Sequence, residues 1–212
     1  MEILVLRYSE SLTFGELEGF LGCLTPARRR GVLKKKGESD RIKALLSQLL
    51  VLSEITERTG IEQRRIAFRF GSHGKPYLKD SELQFSLSHT KGAVCAGFSD
   101  DSDKGEIGVD IERKDRRVSR DLFKRVLSDE ELLQVKSGED FVRFWVQKEA
   151  FLKRLGLGIT RDLRGVNSAV LPDTKAIYLG DFFIGASGKG TLTASVREIT
   201  LDELLGRFTK MV

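Results

Sequence analysis

The sequence predicts an α+β fold, and two patterns support this prediction. Apolar residues recur at helical spacing in two stretches, from Asp40 towards Gly60 and from Asp140 to Leu155. Shorter apolar segments, several of them alternating and bounded by Gly, Asp or Ser, are typical of strands. The order of a helix followed by strands occurs in the first half of the 212 residues and again, loosely, in the second half.

The first half begins with a predicted strand, Ile3–Tyr8, and then contains a strongly periodic helix. Ser39 or Asp40 is the expected N-cap of that helix, and Gly60 its C-terminal stop. A basic, weakly periodic segment precedes it. The run Ser72–Pro76 has the composition of a turn.

Two further strands, Phe85–Ser88 and Ala93–Phe98, are joined by four residues and predict an antiparallel pair. The polar stretch Asp100–Gly105 follows them. We expect the boundary between the two halves of the chain in this stretch.

The next strand alternates strictly from residue 107 to residue 112. Ile107, Val109 and Ile111 fall on one face, and Asp110 and Glu112 on the other. The two carboxylates are therefore neighbours. Beyond the strand we predict two short helices, the long helix to Leu155, and strands separated by glycines, in this order: Leu122–Leu127, Glu130–Val135, Asp140–Leu155 and Ala176–Val196.

Lys148 and Glu149 lie within or beside the apolar stripe of the long helix. A charge is rarely buried without a partner or a task, because its desolvation is costly. Lys148 can form an internal pair with a carboxylate, and Glu149 can form a surface pair with Lys153 four residues on. Alternatively, Glu149 joins Asp110 and Glu112 as three hard oxygen ligands suited to Mg²⁺.

The composition limits the class of protein. Lys and Arg number 36 against 31 acidic residues, a net charge of +5 that suits an anionic ligand or an acidic partner. Cys23 and Cys95 are far apart and predict neither a disulfide framework nor a zinc cluster. Neither a signal-peptide core nor a membrane span is predicted, so we expect a cytoplasmic protein that binds no membrane.

Four motifs occur in order, and together they carry a resemblance. They are Gly74-Lys75-Pro76, Phe85-Ser86-Leu87-Ser88-His89, Gly108-Val109-Asp110-Ile111-Glu112, and the run from Trp145 to Lys153 followed by Gly156 and Gly158. In order and spacing they resemble the phosphopantetheinyl transferases of the surfactin-synthetase-activating type. The resemblance extends over about Asp40 to Gly158.

The resemblance implies two similar α+β halves related by a pseudo-twofold axis within one chain. Residues 1–103 would be the coenzyme A nucleotide side and residues 104–212 the metal and catalytic side, with coenzyme A in the cleft between them. It also implies a magnesium-dependent transfer of 4′-phosphopantetheine to a serine of an acidic acyl or peptidyl carrier protein. A chain that holds both halves is expected to be a monomer, and a dimeric mass in solution would overturn this expectation.

The resemblance also implies roles for individual residues. Asp110, Glu112 and Glu149 would be the metal ligands, with Asp110 also at the coenzyme A site. Glu149, directly or through a water, is the candidate base for the carrier serine. Lys153 would lie near the pyrophosphate and stabilise or protonate the departing phosphate. The sequence leaves the role of Lys148 undecided.

Other positions are expected to contact coenzyme A. The resemblance places Gly74, Lys75 and Pro76 against the adenine nucleotide, and Ser88 and His89 near the phosphates. The resemblance implies that the basic segment from Arg28 to Lys43 binds the ribose 3′-phosphate. Lys43 is the first expected ligand and Arg41 the second. A row of arginines after the metal strand is a candidate docking surface for the acidic carrier: Arg113, Arg116, Arg117 and Arg120.

Three rival interpretations remain at this point. The basic clusters suit a nucleic-acid-binding protein, but no recognisable binding motif with interleaved aromatics accompanies them, so no nucleic acid partner is expected. A magnesium phosphohydrolase or nuclease would use the same three acids for attack by water. A silent binding module would keep the fold without the reaction, which the presence of all three acids argues against.

Overall fold

The computed structural model describes residues 1–99, 105–158 and 163–209, and it has a mixed α+β architecture. The predicted division between residues 103 and 104 lies outside the described residues. The strands are β1 (Glu2–Arg7), β2 (Phe68–Phe70), β3 (Pro76–Leu78), β4 (Gln84–Thr90), β5 (Ala93–Ser99), β6 (Gly108–Arg113), β7 (Thr174–Leu179), β8 (Phe182–Ser187) and β9 (Ser195–Ile199). The α-helices are α1 (Phe14–Leu17), α2 (Pro26–Leu33), α3 (Glu38–Thr59), α4 (Arg120–Val126), α5 (Asp129–Gln134), α6 (Gly138–Leu155) and α7 (Leu201–Thr209).

Helix α3 begins earlier than its pattern predicted. The expected N-cap at Ser39 or Asp40 is wrong, because Gly37 takes the extended cap conformation and the helix starts at Glu38. The carboxylates of Glu38 and Asp40 then lie in the first turn, where their negative charge stabilises the helix by interacting with the positive end of its dipole. The predicted stop at Gly60 is confirmed by its left-handed φ of 71°.

The strands form two main sheets and one hairpin. The first sheet has the order β4-β5-β1-β9, in which the predicted β4–β5 antiparallel pair is confirmed and β9 lies parallel to β1. The second sheet has the order β6-β8-β7 and is antiparallel throughout. Strands β2 and β3 form a separate hairpin around the predicted turn.

The two main sheets pack face to face, with a helical layer on each outer side. Between the sheets lies an apolar cluster that includes Ile3, Val5, Val109 and Ile184. Helix α3 covers the outer face of the first sheet with a second cluster, and α6 covers the outer face of the second sheet with a third. The alternation of β6 thus buries Val109 and Ile111 between the sheets, as its pattern predicted.

Helix α6 lies directly on the backbone of β6 and β8. A Cβ atom on Gly108 would lie 1.9 Å from the carbonyl oxygen of Ala150, and one on Gly185 would lie 1.8 Å from that of Val146. Both positions therefore require glycine because no side chain fits between the helix and the sheet. This close approach fixes how deeply the side chains of α6 reach across the sheet.

The last described elements, β9 and α7, complete the first sheet and its helical layer. Glu54 of α3 is buried, and its carboxylate lies 2.7 Å from Arg207 of α7 and 3.3 Å from Arg197 of β9. Arg58 lies 3.5 Å away on the same helix. A buried carboxylate in contact with three guanidinium groups is well compensated, so these contacts fasten α7 and β9 to α3. None of the helices within the described ranges has the length and apolar character to cross a bilayer.

We expect Gly185→Ala to lower the free energy of unfolding by about 3 kcal/mol or more, because the new methyl group must push α6 away from β8. Urea unfolding followed by circular dichroism measures the change. Gly138→Ala is the matched control, since a Cβ there meets nothing described within 4 Å and its effect should stay below about 1 kcal/mol. Equal stability of Gly185→Ala and the wild type would contradict the packing described.

Candidate functional site

Hydroxyl groups on alternate residues of β4 face the backbone and acids of β6. The pairs are Ser86 with the Val109 amide (3.0 Å), Ser88 with Asp110 (2.7 Å) and Thr90 with Glu112 (2.9 Å). Because side chains alternate along a strand, these three residues share one face of β4. They join the first sheet to the second and hold both acids of β6 in place.

Lys153 of α6 reaches the same acids from the helix side. Its ammonium group lies 2.7 Å from Asp110 Oδ1 and donates a hydrogen bond of 2.8 Å to Ser88 Oγ. Burial lowers the pKa of Lys153, but the Asp110 carboxylate outweighs this and raises it above the ordinary value. Lys153 is therefore a protonated cation, and Ser88 orients it together with Asp110.

Asp110 and Glu149 each carry an oxygen atom that has no hydrogen-bond partner among the described residues. Both residues are buried, and Asp110 Oδ2 and Glu149 Oε1 accept no hydrogen bond within the described structure. Burial and the nearby Asp110 carboxylate raise the pKa of Glu149 to about 7. Unpaired buried carboxylate oxygens are costly, so the pair is suited to bind a positively charged group.

Glu112 differs from the other two acids because both of its oxygens are engaged. Thr90 donates to Oε2, and Arg116 lies 2.5 Å from Oε1. The Arg116 guanidinium also stacks over the Trp145 ring, with 4.7 Å between its central carbon and the ring centroid. Arg116 therefore holds Glu112 beside Asp110.

Mg²⁺ fits this arrangement only as an ion shared with a ligand. Within the described ranges, no group of three or more His, Cys, Asp or Glu side chains forms a ready-made metal site. The open oxygens of Asp110 and Glu149 nevertheless supply the hard donors that Mg²⁺ prefers. This ion usually keeps several waters and binds through one or two carboxylates plus substrate phosphates.

Lys148 faces away from this cluster, and its internal pairing is confirmed. Its ammonium lies 2.6 Å from Glu131, with both side chains fully buried. It also donates to the carbonyl oxygens of Val126 at 2.7 Å and Leu163 at 2.9 Å. Lys148 thus fastens α6 to α5 and to the end of α4.

An apolar recess of about 420 Å³ opens beside Lys153. Its lining comes from α3, the β2–β3 hairpin, β4 and the end of α6: Gln48, Val51, Phe68, Phe70, His73, Gly74, Lys75, Pro76, Phe85, Ser86, Leu87, Lys153, Gly156 and Gly158. The predicted Gly74-Lys75-Pro76 turn thus lies on its wall, with Gly74 in the left-handed region (φ 83°).

A basic recess adjoins the apolar one at Gln48 and Leu87, and its lining includes Arg28, Lys35, Ser47 and His89. His89 points away from Ser88 because the two residues alternate on β4. Burial, with Lys43, Lys153 and Lys35 nearby, lowers the pKa of His89, which favours the neutral ring. One nitrogen of Arg28 and the Ser47 hydroxyl are buried without a described partner.

Sequence reasoning did not single out Arg28 and Ser47 as individual site residues. Of the two ligands that it preferred, Lys43 forms an ion pair with Asp40 at 2.8 Å and lies near His89. Arg41 donates to the Lys35 carbonyl at 2.9 Å and stacks over Phe14. Arg41 is therefore occupied with the backbone of its own segment.

The candidate docking arginines divide into two groups. Arg113 pairs with Asp115 at 2.7 Å and with Glu10 at 3.3 Å, and Arg116 pairs with Glu112. Arg117 and Arg120 are exposed. The second pair therefore offers the more accessible positive charge.

The sequence matches the models of known protein families in two regions. A family model described as the 4′-phosphopantetheinyl transferase superfamily matches residues 106–193. A model described as 4′-phosphopantetheinyl transferase, N-terminal, matches residues 13–99. The chain belongs to the 4′-phosphopantetheinyl transferase superfamily. The resemblance in the four motifs is therefore confirmed, and the chain is an enzyme of this class.

Individual relatives agree with this assignment. The 4′-phosphopantetheinyl transferase Sfp of Bacillus subtilis (strain 168) is 29% identical over 170 residues, covering 77% of this chain and 74% of the relative. The L-aminoadipate-semialdehyde dehydrogenase-phosphopantetheinyl transferase of Saccharomyces cerevisiae is 30% identical over 177 residues, covering 76% and 64%. The 4′-phosphopantetheinyl transferase HetI of Nostoc sp. is 33% identical over 129 residues, covering 55% and 52%.

Proposed function

We propose that this phosphopantetheinyl transferase moves the 4′-phosphopantetheine group of coenzyme A to a serine of an acidic acyl or peptidyl carrier protein, with Mg²⁺ as cofactor. The observation that carries the proposal is the pair of open, buried oxygens on Asp110 and Glu149 beside the Lys153 ammonium. This cluster adjoins a recess that is largely apolar and a second recess that is basic. A nucleotide with several phosphates suits all three features together.

We place the adenine of coenzyme A in the apolar recess, against the Gly74-Lys75-Pro76 wall. The 3′-phosphate then faces the basic recess, where Arg28 supplies a buried nitrogen that has no partner among the described residues, and Lys43 and Lys35 add positive charge around His89. The pyrophosphate lies between His89 and Lys153. In this pose each phosphate meets cations, as phosphate binding requires.

Asp110 and Glu149 would hold Mg²⁺ on the pyrophosphate side through their open oxygens. Glu112, the third proposed ligand, would have to exchange its contact with Thr90 or Arg116 to join them. When bound, this ion supplies positive charge that offsets the negative charge of the pyrophosphate. In the structure, Arg116 holds Glu112 beside Asp110.

The chain's own residues then account for the transfer. The Glu149 carboxylate, directly or through a water, accepts the proton of the carrier serine hydroxyl. A cation bound beside Glu149 lowers its pKa from the raised value that burial and Asp110 give it, so the carboxylate is ionised when it acts. The serine oxygen forms a bond to the β-phosphorus, and the bond from that phosphorus to the bridging oxygen breaks. Adenosine 3′,5′-bisphosphate departs, and the Lys153 ammonium stabilises or protonates its phosphate.

We further propose that residues 1–103 and 104–212 act as the nucleotide side and the catalytic side of the cleft. The basic recess is lined by the first part alone, and the apolar recess is lined mostly by the first part and meets α6 of the second at Lys153. Since one chain supplies both sides, we expect a monomer. We also expect the protein to work in the cytoplasm, without nucleic acid or membrane partners.

The first test incubates the protein with coenzyme A, Mg²⁺ and a panel of apo carrier proteins, then weighs each carrier by intact mass spectrometry. We expect a gain equal to one phosphopantetheine group, which disappears when the metal is chelated. Glu149→Gln should lower the rate by roughly 100-fold or more, because it removes both the base and a buried metal ligand. Consumption of coenzyme A without any gain on a carrier would instead indicate a hydrolase.

The basic recess gives a second prediction. Arg28→Met should weaken coenzyme A binding by about tenfold, since a hydrogen bond to a charged group contributes roughly 1.5–3 kcal/mol. Binding of 3′-dephospho-coenzyme A should change by less than about twofold, because this ligand lacks the 3′-phosphate that Arg28 would contact. Calorimetric titration measures both, with Arg29→Met on the same helix as an exposed control. Equal losses for the two ligands would remove Arg28 from the 3′-phosphate site.

The exposed arginines give a third prediction. Reversing charge with Arg117→Glu and Arg120→Glu together should raise the KM for an acidic carrier by about fivefold or more and leave coenzyme A binding intact. Steady-state kinetics at low and high salt measure the effect, which should shrink as salt screens the charges. The double variant Arg64→Glu and Arg65→Glu, also exposed, controls for net charge. Unchanged carrier kinetics would place the docking surface elsewhere.

A further inference from the structure

Lys75 lies on the wall of the apolar recess, yet its ammonium group points into the protein rather than into the recess. It donates to the carbonyl oxygen of Arg154 at 2.6 Å and to that of Ile107 at 3.2 Å, and it lies 3.5 Å from Glu106. An ammonium has three protons to donate, and these three acceptors account for all of them. Only 9% of the side chain is exposed. The lysine is thus committed to protein contacts.

The two carbonyl groups lie at the end of α6 and just before β6, the helix and the strand that carry Lys153 and Asp110. Arg154 is in the last turn of α6, where carbonyl oxygens have no partner within the helix, and it directly follows Lys153. Ile107 immediately precedes β6, three residues before Asp110. A single ammonium group therefore bridges the ends of the helix and the strand that bring Lys153 and Asp110 together.

The backbone of the turn and the end of α6 both contact Lys75 and restrict its side chain. The carbonyl of Lys75 accepts a hydrogen bond from Gly71 at 2.9 Å, which closes the turn. Gly156, which ends α6 with a φ of 63°, lies close against the Lys75 stem, since a Cβ there would sit 3.5 Å from Lys75 Cδ. Burial lowers the pKa of Lys75, and Glu106 opposes that shift.

We propose that Lys75 is a positioning residue that clamps the end of α6 to the start of β6, and thereby sets Lys153 against Asp110. The inference deepens the proposed function and rests on it for its kinetic consequence. It assigns the nucleotide-facing role at this position to the backbone of the Gly74-Lys75-Pro76 turn and removes it from the lysine side chain. Displacing a catalytic group by about 1 Å can lower a rate roughly 100-fold.

The test compares Lys75→Met, which keeps the length of the stem but removes the donors, with Lys79→Met. Lys79 is exposed and follows the same hairpin, so it controls for the loss of one charge. Lys75→Gln, which keeps one donor group, serves as a milder variant in case Lys75→Met does not fold. Three experiments are done on each protein: steady-state kinetics with an apo carrier for kcat and KM, calorimetry for the Kd of coenzyme A, and amide hydrogen exchange followed by mass spectrometry.

We expect Lys75→Met to lower kcat by roughly 10- to 100-fold. The KM and Kd for coenzyme A should rise by less than about fivefold, because Lys153 also lies at the proposed pyrophosphate site. Exchange should become at least about tenfold faster in peptides covering 105–109 and 153–157, and stay unchanged in Lys79→Met. Lys75→Gln should fall between the wild type and Lys75→Met.

Two results would overturn the proposal. A Kd for coenzyme A raised tenfold with unchanged exchange would make Lys75 a phosphate ligand. Faster exchange with unchanged kcat would reduce it to a purely structural contact. The exchange measurement needs neither coenzyme A nor a carrier, so a wild-type protein that failed to transfer phosphopantetheine would defeat the proposed function and still leave the clamp itself tested.

Discussion

The contact of the α6 backbone with two glycines of the second sheet sets the geometry of the whole site. Val146 and Ala150, whose carbonyl groups lie over Gly185 and Gly108, are one turn apart on α6. Glu149 and Lys153 project from neighbouring positions on that helix, so the depth of the backbone contact determines how far they reach over β6. With any larger residue at the two glycines, the helix would stand off and the lysine would no longer meet Asp110.

The charges of the site are balanced unevenly, and this imbalance has a use. Asp110 has the lysine of α6, and Glu112 has Arg116, but Glu149 is left with a raised pKa and an oxygen without a partner. A structure selected only for stability would pair or remove such a group, because burying it is unfavourable. Ser88 and Lys153 engage one oxygen of Asp110, and Thr90 and Arg116 engage both oxygens of Glu112. Among the described residues, Asp110 Oδ2 and Glu149 Oε1 stay open for a cation that arrives with the substrate.

Local patterns predicted most of the elements, while contacts between distant residues determined the rest. The alternation of β6 and the apolar stripe of α6 were sufficient to suggest that Asp110, Glu112 and Glu149 share one metal site. The resemblance of the four motifs then indicated the transfer of phosphopantetheine. The start of α3 was misplaced by two residues because glycine was overlooked as a cap. Helix α7 was missed although Leu201, Leu204, Leu205 and Phe208 recur at helical spacing. The three-residue strands β2 and β3 were missed because such short segments carry little periodicity. The inward direction of Lys75 was also hidden, since its acceptors lie 32 and 79 residues away in sequence.

The pairing of β9 with β1 joins residues near 2–6 to residues 195–199. During synthesis, β1 leaves the ribosome long before the strand that covers its edge, and its outer hydrogen-bonding groups stay unpaired until residues 195–199 are made. Such non-local pairings slow folding, and an uncovered strand edge invites association with other chains. Until β9 arrives, the nascent protein therefore has an aggregation hazard at its first strand, and a chaperone that shields β1 would be expected to improve its yield.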